Sequence, residues 1–327
     1  MEIGDNRQVS LEELFRGLRK GHKLSASRLM TLIENEGREG EEALRKLYSL
    51  NGRSLVIGIT GWPGVGKSTL ISRIAKAFLD EGKKVGIIAV DPTSPFSGGG
   101  LLGDRLRFRN IDGHDRLFIR SAASRGDQGG LSRAARAFVK VMEAMTMDVV
   151  LLETVGIGQE QVGVSLVADT TVVVLVPGLG DHLQAIKSGI IEIGDIFVVN
   201  KADRPDADKT VQDMTAAILM REKEGWRPPV VKTMAAEGTG IDNVMAELER
   251  HRTYCTTLAE VPAAKARAAS SEIKEAIKNR LLDDYLKEEW SRSKAIEAHA
   301  GAVCRRQSDP YLVVDMMLDE QNSNGPR

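Results

Sequence analysis

One eight-residue segment constrains the fold of this chain more than any other part of its sequence. The segment Gly61-Trp62-Pro63-Gly64-Val65-Gly66-Lys67-Ser68 fits the pattern G-x-x-x-x-G-K-[ST]. The apolar run 56–59 before it predicts a buried strand, and the apolar spacing of residues 70–78 after it predicts an amphipathic helix. Backbone N–H groups of such a loop bind phosphate oxygens together with the helix N-terminus. We therefore predict a phosphate-binding site formed by Gly61, Pro63, Gly64, Val65, Gly66, Lys67, Ser68 and Thr69.

Short apolar runs separated by helical patterns follow that loop along the chain. Most of these runs lack alternation, as expected for strands buried on both faces of a parallel sheet. The helices between them imply βαβ crossovers. The pattern predicts an α/β fold, a P-loop domain with a doubly wound, mostly parallel sheet, whose strands lie at residues 55–60, 84–91, 117–120, 149–153, 171–176, 196–200 and 230–233.

Helical patterns at both ends lie outside this α/β region. Ser10 followed by Glu13 predicts a capping box ahead of an amphipathic helix. Residues 263–300 contain no Gly or Pro and carry apolar positions four apart, which predicts a long amphipathic helix that needs a packing partner. We accordingly divide the 327 residues into a helical N-terminal extension, a P-loop domain and a helical C-terminal arm, at residues 1–50, 51–260 and 261–327.

A second motif, Asn200-Lys201-Ala202-Asp203, closes the predicted strand 196–200. Ligands of open α/β sheets bind beyond the C-terminal ends of the strands. The carboxylate of Asp203 can accept hydrogen bonds from N1–H and the 2-amino group of guanine. Adenine offers neither donor there and would leave the carboxylate unpaired, which is costly. With Asn200 supporting the loop and the stem of Lys201 covering the ring, the motif predicts a guanine nucleotide, GTP or GDP.

Three carboxylates near the phosphate loop are candidate magnesium ligands. Asp91 and Glu153 end predicted strands, and Asp104 lies in a glycine-rich loop. Phosphoryl transfer needs Mg²⁺ to neutralise phosphate charge, and Mg²⁺ prefers oxygen ligands while retaining several waters. We predict a metal site formed by Ser68, Asp91, Asp104 and Glu153. Lys67, which would bridge the β- and γ-phosphates, joins the three carboxylates as a candidate catalytic residue.

Two further glycine-rich loops, 92–109 and 177–187, are candidate switches. Loops of this kind beside a γ-phosphate order with GTP and relax with GDP. We expect His182, in the second loop, to be a surface histidine rather than a catalytic base. In these loops and in the segment after Glu153, the predicted switch residues are Arg107, Gly156, Gln159, Asp181, Gln184 and Lys187.

The composition argues against several other classes of protein. Lys and Arg total 45 against 46 Asp and Glu, a net charge of -1, without the basic excess of nucleic-acid binders. The two cysteines, Cys255 and Cys304, are too few for a disulfide framework or a cysteine-rich metal site. No run approaches the roughly 18 apolar residues of a membrane span. Because residues 1–5 do not resemble a signal peptide, we expect a cytoplasmic protein with neither nucleic-acid nor membrane partners.

Taken together, these motifs resemble the MeaB/ArgK/MMAA family of G-protein chaperones, which serve adenosylcobalamin-dependent acyl-CoA mutases. The resemblance covers nearly the whole chain and rests on the phosphate loop and on segments 90–104, 124–130, 153–159, 177–187, 200–203 and 309–311. It implies slow GTP hydrolysis, a homodimer that uses the C-terminal arm, and a switch at 177–189 that signals to the mutase. It implies that Asp91, Asp104 and Glu153 surround Mg²⁺. It also implies that the chain gates adenosylcobalamin loading and protects the mutase, which itself binds the cobalamin.

One segment departs from the family's pattern. Residues 233–238 read Thr-Met-Ala-Ala-Glu-Gly, where the family usually has a Ser-Ala pair in the base-binding loop. The backbone N–H of Ala235 is still expected to meet guanine O6. The departure leaves open whether the partner is methylmalonyl-CoA mutase or a related mutase for 2-hydroxyisobutyryl-, isobutyryl- or ethylmalonyl-CoA.

Two other functions stay open at the level of sequence. A nickel-insertion GTPase of the hydrogenase or urease type shares the α/β core, but needs thiolate or imidazole ligands, which are scattered here. A P-loop kinase acting on a small metabolite would normally use ATP, against which the segment 200–203 argues.

Overall fold

The computed structural model describes the chain in a series of segments. They are residues 9–35, 37–50, 52–91, 108, 110–123, 133–154, 160–178, 189–220, 225–257, 269–270, 273–274 and 277, with the backbone alone at 91, 123, 133 and 160–162. The chain divides into two compact units, Met1–Lys265 and Ala266–Arg327. The boundaries at 50 and 260 that the sequence suggests stay predictions.

A single seven-stranded sheet forms the centre of the first unit, with every strand pair parallel. Its order is β3-β2-β4-β1-β5-β6-β7. The predicted parallel sheet is thereby confirmed, since each apolar run lies in a strand. The strands are β1 (Leu55–Gly61), β2 (Val85–Asp91), β3 (Leu117–Ala123), β4 (Val149–Glu153), β5 (Thr170–Leu175), β6 (Ile196–Asn200) and β7 (Val230–Thr233).

Helices connect these strands and precede the first of them. Their apolar faces are buried against the sheet or against one another, as the helical spacing of the sequence predicts. The helices are α1 (Leu11–Arg19), α2 (Lys23–Glu34), α3 (Arg38–Tyr48), α4 (Lys67–Asp80), α5 (Arg133–Ala144), α6 (Glu160–Ser165), α7 (Ile190–Ile193), α8 (Ala207–Leu219) and α9 (Ile241–Thr257).

Side chains from alternate positions of each central strand enter different cores. Val56 of β1 packs in the core that contains α1, α2, α3 and α5, whereas Ile57 and Ile59 pack in the core that contains α4 and α9. Gly58 lies between Ile57 and Ile59 in β1, and a Cβ atom at this position would overlap Val164 of α6. Burial on both faces explains why the strands read as continuous apolar runs in the sequence.

The N-terminal helices form a layer over one of these cores. The predicted capping box is present: the Glu13 N–H donates to Ser10 Oγ at 3.3 Å, and the Ser10 N–H donates to the Glu13 carboxylate at 3.0 Å. Leu18 of α1 and Leu29 of α2 are fully buried with Phe138 of α5. The layer is thus fixed to the α/β core by apolar packing.

The second unit is described at five positions. Residues 269–270, 273–274 and 277 are helical, and the rest of the predicted helix 263–300 lies outside the described residues, as does the segment 309–311. Ile273 and Ile277 are 61% and 54% exposed. Among the described helices of the whole chain, none is long and apolar enough to cross a membrane.

A buried histidine links α9 to the amino-terminal edge of the sheet. His251 is 4% exposed, and its Nδ1 lies 2.8 Å from the hydroxyl of Thr170, where β5 begins. Its Nε2 lies 3.6 Å from a carboxylate oxygen of Asp195, just before β6, and its ring packs edge-on against Trp226. Burial lowers the pKa of His251 below its usual 6.5, although Asp195 and Asp169 oppose the shift and Arg250 adds to it.

Lowering the pH is expected to destabilise the chain through His251. Because its folded-state pKa lies below 6.5, the unfolded chain binds more protons between the two pKa values. His251 therefore makes its full contribution to the free energy of unfolding above pH 6.5, the pKa in the unfolded chain. That contribution is lost as the pH falls from 6.5 towards the pKa in the folded chain. Urea denaturation at pH about 7.5 and about 5.5 measures the difference.

Two histidine variants separate this effect from the rest of the titration. His251→Gln, which cannot take up a proton, should show a weaker loss of stability between the two pH values. His114→Gln, at an exposed position, should behave like the unmodified chain. Equal pH dependence in the unmodified chain and in His251→Gln would contradict the prediction.

Candidate functional site

The candidate site lies beyond the carboxyl ends of β1, β4 and β6, where the segments 61–68, 153–154 and 200–203 meet. All strands are parallel, so these ends share one edge of the sheet. Gly61 and Gly66 have φ of 142° and 97°, which favour glycine. A Cβ at Gly61 would overlap the Val174 carbonyl, and one at Gly66 would overlap the Asn200 amide. The loop therefore keeps its shape only with glycine at both positions.

Lys67 is the first residue of α4, and its ammonium group folds back across the loop. Its Nζ donates to the carbonyls of Gly61, at 2.9 Å, and Trp62, at 3.2 Å. The side chain is 7% exposed, so a positive charge is held beside the backbone N–H groups at the start of the helix. Charge and dipole act in the same sense there, which favours an anionic ligand.

The side chain of Asn200 joins three segments of the site. Its Nδ2 donates to the Val65 carbonyl in the phosphate loop at 2.8 Å. Its Oδ1 accepts from the hydroxyl of Thr233, at 3.1 Å, and from the N–H of Ala235, at 3.0 Å. Asn200 is 3% exposed, so these bonds form away from water. The end of β6 is thereby tied to the phosphate loop and to the segment after β7.

Lys201 and Asp203 follow Asn200 in the loop after β6. Lys201 has φ of 55°, an uncommon value for a residue with a side chain. Its ammonium donates to the Gly64 carbonyl at 2.8 Å, which lays the lysine stem along the phosphate loop. Asp203 is exposed, and its carboxylate stands available to a ligand from solvent. The roles predicted for the two side chains at a guanine base stay predictions.

Ser68 and Glu153 meet across the gap between α4 and β4. The Ser68 hydroxyl donates to Oε1 of Glu153 at 2.5 Å, and Glu153 is 4% exposed. Both side chains present oxygen atoms, which are the ligands that Mg²⁺ prefers. Among the described side chains no group of three or more His, Cys, Asp or Glu is close enough to hold a metal ion. Ser68 and Glu153 fit Mg²⁺ only if phosphate, water or further residues complete its shell.

Several predicted site residues have positions that the structure does not describe. The backbone of Asp91 ends β2 on the same sheet edge, but its side chain is outside the described part. The remaining residues outside the described segments are Asp104, Arg107, Gly156, Gln159, Asp181, Gln184 and Lys187. Their metal-binding and switch roles stay predictions.

The segment after β7 is held from two directions. The N–H of Ala235, which we expected to meet guanine O6, donates to Asn200 here, and its contact with a base stays a prediction. The Ala235 carbonyl accepts from Nε of Arg73 at 2.9 Å, and a second guanidinium nitrogen donates to the Ala236 carbonyl. Sequence reasoning missed Arg73 and Thr233, since neither belongs to a motif and each acts on residues distant in the chain.

Comparison with known proteins gives a family match and clear relatives. The sequence matches the profile of the family described as methylmalonyl-CoA mutase-associated GTPase MeaB over residues 26–289. A Pyrococcus abyssi protein named as a GTPase is 40% identical over 314 residues, which cover 95% of this chain and 96% of that protein. The GTPase ArgK of Escherichia coli is 34% identical over 258 residues, covering 76% of this chain and 78% of ArgK.

A solved structure supports the fold independently. The protein named LAO/AO transport system kinase superimposes with a TM-score of 0.70 at 24% identity. The match covers 98% of this chain and 100% of the other. At that identity the similarity concerns the fold and carries no statement on activity.

Replacing Asn200 with Ala is expected to lower the free energy of unfolding by about 2 kcal/mol or more, because buried backbone groups of Val65 and Ala235 lose their partner. Urea denaturation measures the change. The matched control Asn243→Ala, at an exposed position of α9, should stay within about 0.5 kcal/mol of the unmodified chain. If both variants are equally stable, Asn200 does not hold the site together.

Proposed function

The chain belongs to the MeaB family of methylmalonyl-CoA mutase-associated GTPases, and we propose that it is a chaperone that uses GTP hydrolysis to serve an adenosylcobalamin-dependent acyl-CoA mutase. In this role it gates adenosylcobalamin loading and protects or reactivates the mutase in the cytoplasm. The cobalamin is bound by the mutase. The mutase acts on methylmalonyl-CoA or on a related 2-hydroxyisobutyryl-, isobutyryl- or ethylmalonyl-CoA substrate.

The observation that carries the nucleotide part of this proposal is the bonding of Asn200. One buried side chain ties the phosphate loop, through Val65, to the loop that bears Asp203 and to Ala235. A nucleotide lying along this edge would meet phosphate-binding N–H groups at one end and the Asp203 carboxylate at the other. Guanine provides the two donors that this carboxylate requires, whereas adenine does not.

The described residues also suggest how the phosphates are held. Lys67 moves its ammonium from the loop carbonyls to the β- and γ-phosphate oxygens, while the loop N–H groups bind the same oxygens from the other side. Ser68 and Glu153 would hold Mg²⁺ and its waters together with Asp91 and Asp104, whose side chains lie outside the described residues. The metal supplies neutralisation of phosphate charge when bound. Hydrolysis by the chain alone is slow, and the mutase accelerates it.

The C-terminal arm is our candidate for a dimer contact. In its described part, Ile273 and Ile277 lie one helical turn apart and are 61% and 54% exposed. Two large aliphatic side chains on one face of a helix favour burial against another surface. We propose that this surface belongs to a second copy of the chain, so that the working form is a homodimer.

The guanine preference can be reversed at one position. Asp203→Asn replaces an acceptor of two N–H donors by an amide, which can instead donate to the 2-oxo group of xanthine. We expect the Kd for GTP to rise at least about tenfold, equivalent to about 1.4 kcal/mol, and the Kd for XTP to fall. Competition titration with GTP, ATP and XTP against the same fluorescent nucleotide measures all three affinities.

The exposed residue Asp206, in the same loop, provides the control. Asp206→Asn should keep the preference for GTP over ATP and XTP. Tighter binding of ATP than of GTP by the unmodified chain would remove the basis for the GTPase site and favour a kinase.

The partner mutase is expected to raise the GTP hydrolysis rate, and Lys187→Ala to weaken that stimulation while leaving GTP binding nearly intact. Lys187 lies in the predicted switch 177–187, away from the motifs that bind phosphate and base. Single-turnover hydrolysis with and without an adenosylcobalamin-dependent acyl-CoA mutase measures both rates. The control Lys209→Ala, at an exposed position of α8, should retain full stimulation. Equal loss of the basal and stimulated rates in Lys187→Ala would exclude a signalling role for the loop.

A further inference from the structure

Arg73 is a charged residue of α4 whose contacts lie at the base end of the site. Its Nε donates to the carbonyl of Ala235 at 2.9 Å, and a second nitrogen of the guanidinium donates to the carbonyl of Ala236. The side chain is half-buried against this segment. A guanidinium presents its donors in a rigid fork, so two neighbouring carbonyls are fixed together.

The segment that Arg73 holds is a closed loop. The N–H of Met234 donates to the Thr239 carbonyl at 3.0 Å, and the N–H of Gly238 donates to the Met234 carbonyl at 2.9 Å. We name residues 234–239 the base loop. Within it, Ala235 is 1% exposed.

Ala235 is fixed on both sides by side chains from other elements. Its N–H donates to Asn200 at the end of β6, and its carbonyl accepts from Arg73 of α4. The thioether of Met234, which stands where the family usually has serine, is a weak acceptor and cannot donate. The orientation of the base loop therefore depends on contacts from outside it.

The same helix carries the phosphate loop at its amino end. Lys67 begins α4, and Arg73 lies six positions later, which corresponds to about 9 Å along the helix axis. A rigid helix thus connects the residues that bind phosphate with the guanidinium that holds the base loop. This helix therefore fixes the distance between the two ends of the nucleotide site together with Asn200, which bonds both Val65 and Ala235.

We propose that Arg73 is a positioning residue that holds the base loop at a fixed distance from the phosphate loop and thereby sets the affinity for the guanine base. The inference rests on the proposed binding of guanine nucleotides. Arg73 acts through Ala235 and Ala236 and touches neither phosphate nor base. Its removal should accordingly affect ligands that carry the base and spare those that consist of phosphate alone.

The test compares GDP with inorganic tripolyphosphate, which occupies a phosphate loop but has no base. For Arg73→Ala in the full chain, we expect the Kd for GDP to rise about tenfold or more, and the Kd for tripolyphosphate to change less than about twofold. Arg73→Lys keeps one charged donor and should recover part of the GDP affinity. Isothermal titration calorimetry gives both constants, and thermal unfolding confirms that each variant is folded.

The control is Lys76→Ala on the same helix, because the Lys76 ammonium pairs with Asp80 at 2.8 Å. It should bind both ligands like the unmodified chain. Unchanged GDP affinity in Arg73→Ala, or equal weakening of GDP and tripolyphosphate, would overturn the role of Arg73. Should Arg73→Ala fail to fold, the same comparison with Arg73→Lys decides the matter. If the unmodified chain binds GDP no better than ADP, the proposed guanine site fails instead.

Discussion

The buried amide of Asn200 is the contact on which the geometry of the site depends. It donates to the phosphate loop through Val65 and accepts from Thr233, the last residue of β7, and from Ala235 just after it. Because Asn200 is 3% exposed, none of these partners can be replaced by water without opening the core. The position of the Asn200 amide also explains why residue 66 is glycine, since a Cβ atom there would overlap the amide. The position of Asn200 therefore favours glycine at position 66 of the first motif.

The parallel sheet makes this contact possible. Since all strand pairs are parallel, β1 and β6 deliver the phosphate loop and the Asn200 loop to one edge, with β5 between them. Glu153 reaches the same edge from β4, paired in register with Ile59 of β1, and meets Ser68. Thus two loops and a strand end that are far apart in sequence come together in one site. At the amino-terminal edge of the sheet, contacts of His251 with Thr170 and Asp195 connect α9 to the strands.

Features with a local cause could be predicted from the sequence, and those with a distant cause could not. The phosphate loop, the Ser10–Glu13 capping box and the buried strands depend on residues close in sequence, which a pattern records. By contrast, the contact of Arg73 with Ala235 joins positions 162 residues apart. Such contacts depend on how helices lie on the sheet, and no periodicity in the chain encodes this. The hydrogen bond from the Ala235 N–H to Asn200 could not be predicted from the sequence either, because it depends on the path of the loop rather than on its composition.

The N-terminal layer affects the order in which the chain can fold during its synthesis on the ribosome. Residues 11–48 leave the ribosome before α5, yet their apolar face packs on that helix, which spans Arg133–Ala144. Leu18 and Leu29 therefore lack their later partner Phe138 while more than roughly 100 further residues are made, which takes seconds at typical rates of synthesis. During that interval the phosphate loop has also emerged, but β4, its neighbour through β1, has not. The N-terminal layer can therefore complete its core only after α5 has been made, so its folding is coupled to that of the α/β core.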